Sequence, residues 1–159
     1  MKLGLKKTHL HQVIIHLSNC LPYVDPFTLL FVNVDKIQPE EFFLLLQSSG
    51  AKWIVDTRIN PRLDLVAGTR NYAFKLFEMN KAEYIDLSNQ AGLTAYYSIN
   101  ANPEVWGEFV GNAILNSKKL SGPFIILFDN AEFMKDSQTV LPRTLKHVLG
   151  RTVSLAVHS

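Results

Sequence analysis

The chain predicts an α/β protein with three layers: a mostly parallel five-stranded sheet with helices on both faces. Three observations carry that prediction. Thr28–Val34 and Phe124–Phe128 are continuous apolar runs of strand length, as expected of strands buried on both faces. Between the first two strand-like runs lies a helical stretch opened by Pro39 and closed by Gly50, which makes a strand–helix–strand unit of the parallel crossover kind. The same alternation of strand and helix then repeats to the end of the chain, and that order means a parallel sheet.

The elements follow in order. Over residues 7–20, Leu10, Val13, Ile14 and Leu17 recur at helical spacing, which predicts an N-terminal helix packed on the sheet, although Val13-Ile14-Ile15 also suits an edge strand. Pro22 and Pro26 end it. After the strand at 28–34, Pro39 sits at a first helical position with Glu40 and Glu41 in the first turn, where the helix dipole favours acids. Phe42, Phe43, Leu45 and Leu46 give that helix a buried side, and Gly50 suits a left-handed cap. A second strand spans 52–57, followed by a charged loop at 58–69. A helix at 70–81 offers Tyr72 or Ala73, Leu76, Phe77 and Met79 for packing, and a short strand follows at 83–87. Residues 88–101 read as a long polar loop containing Gly92, Tyr96 and Tyr97, and long loops are often functional. Asn102 caps a helix opened by Pro103 and carrying Val105, Trp106, Phe109, Val110 and Ile114. A strand at 124–128, a last helix at 139–149 and a fifth strand at 152–157 complete the order.

Length and composition set the limits. At 159 residues the chain is one domain, 1–159, with 1–27 as a helical extension packed on it. A hydrophobic content of 47% with 19% charged residues is that of a globular protein. The net charge of +2 does not by itself indicate nucleic acid, which usually requires basic residues clustered on one face. The single cysteine, Cys20, rules out an internal disulfide and a cysteine-rich zinc site, and fits a reducing, cytoplasmic setting. The basic start at Lys2, Lys6 and Lys7 is followed by residues interrupted by His9, His11 and His16, so secretion is not expected. No apolar stretch has membrane-spanning length. No P-loop, dinucleotide fingerprint or nucleophile elbow occurs, so no cofactor is expected, and no histidine or acid cluster has metal-ligand spacing.

In open parallel sheets ligands bind beyond the carboxyl ends of the strands. That rule gathers Asn33, Asp35, Asp56, Arg58, Asp86, Asp129, Asn130 and His158 onto one rim. Arg58, Arg62 and Arg70 flank one loop, and Arg143 is expected near the start of the last helix. Arginine's planar fork suits phosphate or carboxylate, so these four are the candidate ligand-binding residues. Asp56 and Asp129 are the candidate acid–base residues.

The segments Pro39-Glu-Glu-Phe-Phe-Leu-Leu-Leu-Gln-Ser-Ser-Gly50, Val55-Asp56-Thr57-Arg58-Ile59-Asn60-Pro61-Arg62, Glu83–Leu87 and Pro123–Phe128 resemble the bacterial family known as domain of unknown function 488. The resemblance covers residues 28–90 and 120–158, and its most specific element is the Asp-x-Arg-x-x-Pro turn. It implies an α/β fold with a site at that turn and no established reaction. The family's Cys-His-Arg triplet at the start of its last helix corresponds here to Leu141-Pro142-Arg143, which keeps only the arginine.

The expected function is binding of a phosphate- or carboxylate-bearing ligand, such as a nucleotide or a nucleic-acid end, at the rim around Asp56 and Arg58. The alternative is a hydrolase or transferase acting on a phosphorylated or nucleic-acid substrate, with Asp56 or Asp129 as acid–base. The sequence offers no nucleophile–base pair, which favours binding. A third reading is protein–protein assembly through Tyr96, Tyr97 and Trp106.

Overall fold

The computed structural model describes residues 27–116, 122–150 and 152–158. The expected N-terminal helix, with its histidines and Cys20, lies outside the described residues. Five parallel strands form one sheet in the order β3-β2-β4-β1-β5. The strands are β1 (Thr28–Asn33), β2 (Trp53–Asp56), β3 (Glu83–Asp86), β4 (Phe124–Phe128) and β5 (Ser154–His158). The helices are α1 (Pro39–Ser49), α2 (Asp64–Ala67), α3 (Arg70–Met79), α4 (Leu87–Ala91), α5 (Leu93–Asn100), α6 (Pro103–Asn116) and α7 (Ala131–Leu149).

Every residue of β1 and β4 is buried, because each strand has neighbours on both edges and helices on both faces. Successive side chains point to opposite faces. Leu30, Val32, Ile54, Ile125 and Leu127 meet Phe42, Leu45 and Leu46 of α1 and Ala73, Leu76 and Phe77 of α3 on one face. Leu29, Phe31, Val55, Phe124, Ile126 and Phe128 meet Trp106, Val110 and Ile114 of α6 and Leu141 and Leu145 of α7 on the other. Tyr72 and Met79, offered by the sequence for packing, point outward, because Ala73, Leu76 and Phe77 already cover the sheet. Helices α6 and α7 approach closely at Gly107, where an added Cβ would meet Val140 Cγ1 at 2.7 Å.

The caps explain the helix boundaries. The Gln38 N–H donates to Glu41 Oε2 at 3.0 Å, and Gly50 closes α1 at φ 62°. Asn102 Oδ1 accepts from the N–H groups of Glu104 and Val105 at the start of α6. Three expectations are corrected. Residues 88–101 are not a loop but largely two short helices, α4 and α5, joined at Gly92 with φ 82°, and Asp86 caps the first by accepting from Asn89 N–H. The loop at 58–69 contains one helical turn, α2. The last helix begins at Ala131 rather than at 139, capped by Asn130, and it runs through Pro142 without ending. Among the described residues no helix is long and apolar enough to cross a membrane.

Strand order positions the site. The chain leaves β4 for α7 on one face, whereas both neighbours, β1 and β2, lead to α1 and α2 on the other. Crevices therefore open on either side of the β4 carboxyl end, at topological switch points.

Candidate functional site at the strand ends

Asp56 ends β2 on the α1/α3 side and is fully buried. A buried carboxylate must be satisfied by hydrogen bonds. Arg58 Nε donates to its Oδ1 at 2.8 Å, and Arg58 Nη2 donates to its Oδ2 at 2.6 Å. The Arg58 backbone N–H adds a bond to Oδ1, and the Tyr84 hydroxyl donates to Oδ2 at 2.8 Å. The third guanidinium nitrogen, Nη1, donates to the Arg62 carbonyl at 3.2 Å. Burial alone would lower the Arg58 pKa. The bonds and charge of Asp56 outweigh it and hold the guanidinium above its ordinary value, with Tyr84 and Asp129 adding to the effect. Burial pushes the Tyr84 hydroxyl up, and the Asp56 charge pushes it further, so it stays a neutral donor.

Thr57 lies between the pair and is tied across the sheet. Its N–H and its Oγ1 both donate to the Leu127 carbonyl, the latter at 2.6 Å. The buried Tyr96 hydroxyl of α5 donates to the Thr57 carbonyl at 2.6 Å, and burial is the main reason its pKa is raised. The Asp56-Thr57-Arg58 turn thus joins β2, β3, β4 and α5.

Beside this turn, in the β2/β4 crevice, is a cavity of about 240 Å³ lined by Thr57, Ile59, Asn100, Asp129, Asn130 and Phe133. Asp129 follows β4 directly and is exposed. Burial raises its pKa most, Asp35 and Asp56 add to the rise, and Arg58 opposes it. Asn130 Oδ1 accepts from the Phe133 N–H as the α7 cap. Asn100, the last residue of α5, has a buried Oδ1 with no hydrogen-bond partner among the described residues.

The four arginines do not converge. Arg58 is committed to Asp56 and the Arg62 carbonyl. Arg62 pairs with Asp64 at 2.6 Å in the open. Arg70 lies 5.2 Å from the Phe74 ring centroid. Arg143 is corrected most: it lies beyond the middle of α7, not at a helix start, and is ion-paired with Glu104 of α6. Tyr96 and Trp106, offered as an assembly surface, are both fully buried, and of that trio Tyr97 alone is exposed. The sequence reading missed Asn100, Ile59 and Phe133, because two of them lay in segments read as loop and the third before the expected helix start. Among the described residues no group of three or more histidines, cysteines or acids could hold a metal ion.

Fold and site together define an open parallel α/β domain with a polar crevice at its strand ends. No family model, curated protein or solved structure matches the chain.

Proposed function

We propose that the domain binds a small polar ligand at the strand C-terminal rim, in the β2/β4 pocket beside the Asp56–Arg58 turn, through Asn100 and Asp129. The observation that carries this reading is the cavity itself, at a topological switch point and lined by the polar residues Thr57, Asn100, Asp129 and Asn130. Asp129 contributes a carboxylate to the lining.

The anionic ligand suggested by the arginines is the weaker match to this pocket. Arg58 would have to leave a buried carboxylate to bind it, and Asp129 and Asp35 would repel it. The kinship with the domain of unknown function 488 family stays a proposal, and it supports a site near the Asp-x-Arg turn without supplying a reaction. The lone cysteine supports a cytoplasmic setting.

A second reading, a hydrolase or transferase, is favoured by one observation: Asp129 is both in the pocket and shifted upward in pKa, as acid–base groups often are. Asp56 is a poor candidate for that role, because it is sealed from solvent by four donated bonds.

Titration calorimetry with polyols, nucleosides, amines and phosphate tests the binding reading. The expected result is binding that Asn100→Leu and Asp129→Ala weaken about tenfold and Arg143→Ala leaves unchanged. Equal affinity in all four proteins would remove the pocket from the function.

A further inference from the structure

Resting on the rim-pocket reading, we infer that the ligand is a small organic cation, a primary ammonium group on a short apolar body, held by the Asp129 carboxylate beside the Phe133 ring. The charge of the site points to this class. Of the six residues that line the cavity, Asp129 alone carries a full charge. The charged side chains whose fields reach it are Arg58, Asp35 and Asp56. Arg58 lies 2.6 Å from the Asp56 carboxylate, and both side chains are buried, so that pair is neutral as a unit. Neither Asp35 nor Asp129 is ion-paired among the described residues. The rim therefore keeps two negative charges without a partner, and a cleft of one sign draws the opposite charge. A cation gains from both acids, whereas an anion is repelled by both.

The rest of the lining sets the kind of cation. Thr57 Oγ1 is engaged with the Leu127 carbonyl, and Asn130 Oδ1 with the Phe133 N–H, which leaves the Asp129 carboxylate to accept charge-assisted bonds from an ammonium. Ile59 and Phe133 are half-buried and packed against the core beneath α6 and α7. The Phe133 ring is edge-on to Trp106 at 5.1 Å and 6.2 Å from Phe128, so its position is set before any ligand arrives. An aromatic ring attracts a cation through its quadrupole, and with Ile59 it offers apolar surface to an alkyl body. The cavity, about 240 Å³, is smaller than the roughly 300–1,000 Å³ of pockets that enclose drug-sized ligands, so the amine is a small one.

Calorimetric titration of the full chain with butylamine, butanol and butyrate, probes of similar shape and different charge, tests the inference. Butylamine is expected to bind, butanol to bind about tenfold more weakly, and butyrate not to bind. Added salt is expected to weaken butylamine and leave butanol unchanged. Asp129→Asn, which keeps the side chain's shape, is expected to abolish the preference for the amine, and Asp35→Asn to reduce it by less. Phe133→Leu is expected to weaken butylamine about threefold. If butanol binds the parent as tightly as butylamine and Asp129→Ala weakens both, charge plays no part: this inference falls and the rim-pocket reading stands. If butylamine binds Asp129→Asn as tightly as the parent, it sits elsewhere and this inference alone falls. If no probe binds the parent, polyols and nucleosides included, both fall.

Discussion

The loop after β2 contains the same ion pair twice. Asp56 and Arg58 are two residues apart and meet at 2.6 Å; Arg62 and Asp64 are two residues apart and also meet at 2.6 Å. The side chains of the first pair are 0% and 1% exposed, those of the second 61% and 41%. Equal closest distances therefore conceal unequal energetics. Water screens the exposed pair and competes for its hydrogen bonds, so the contact contributes little. The buried pair has no such substitute, and either partner left alone would be an uncompensated charge in an apolar layer. The sequence shows two Asp/Arg neighbours; the difference between them is the sheet beneath the first.

The sharpest way to break the comparison is Arg58→Ala, expected to lower stability by about 3–5 kcal/mol in urea denaturation. A loss under about 1 kcal/mol would mean that the turn does not depend on the pair. The double replacement Asp56→Leu with Arg58→Met should recover most of the loss, because it removes both charges together. Tyr84→Phe withdraws one donor from the buried carboxylate and should cost about 1.5–3 kcal/mol by the same measurement.

Asp129 is exposed, like the second pair, yet it is partly desolvated and feels the charges of Arg58, Asp35 and Asp56. Its pKa is raised in the fold, so the native state binds the proton more readily than the unfolded chain does. Stability then falls as pH rises from the ordinary carboxylate range through the folded-state value. Asp129→Asn should therefore stabilise the protein at neutral pH, and the gain should shrink as pH falls through the folded-state value and be gone well below pH 3.8, the ordinary value for this carboxyl. A gain that persisted in acid would point to packing instead of charge. Asp64→Ala is the smallest change: thermal unfolding should not resolve it from the parent, even at low salt.

Much of the fold was legible because it rests on patterns that tertiary context does not override. The run at 124–128 could only be a strand buried on two faces, and Pro39 with Gly50 bracketed α1 to within a residue. Where the reading slipped, a local signal outweighed a longer one. The sequence predicts the last helix from 139, yet Met134, Ser137, Leu141 and Leu145 form one buried stripe at helical spacing that begins well before it. Gly92 suggested a loop, but its positive φ instead joins two helices. The rim was legible from the strand ends alone. That Arg58 faces inward was not, because the groups that complete the buried pair, the Tyr84 hydroxyl on Asp56 and the Arg62 carbonyl on Arg58, are linked to it by no spacing rule.

The position of β4 in the sheet also constrains the order of events during synthesis. Leu29 of β1 pairs with Phe124 on one side and Leu155 on the other, so β1 has no strand neighbour until the chain has grown past the middle of its length. β2 and β3 can meet earlier, but their pairing leaves open the edge of β2 that β4 will fill. A nascent chain therefore carries its most apolar early strand unpaired until β4 arrives to join the two halves. Pairing between segments so distant in sequence makes folding slow and exposes it to aggregation. For a chain emerging from the ribosome, the apolar segment of greatest hazard is β1, and the arrival of Phe124–Phe128 ends that exposure.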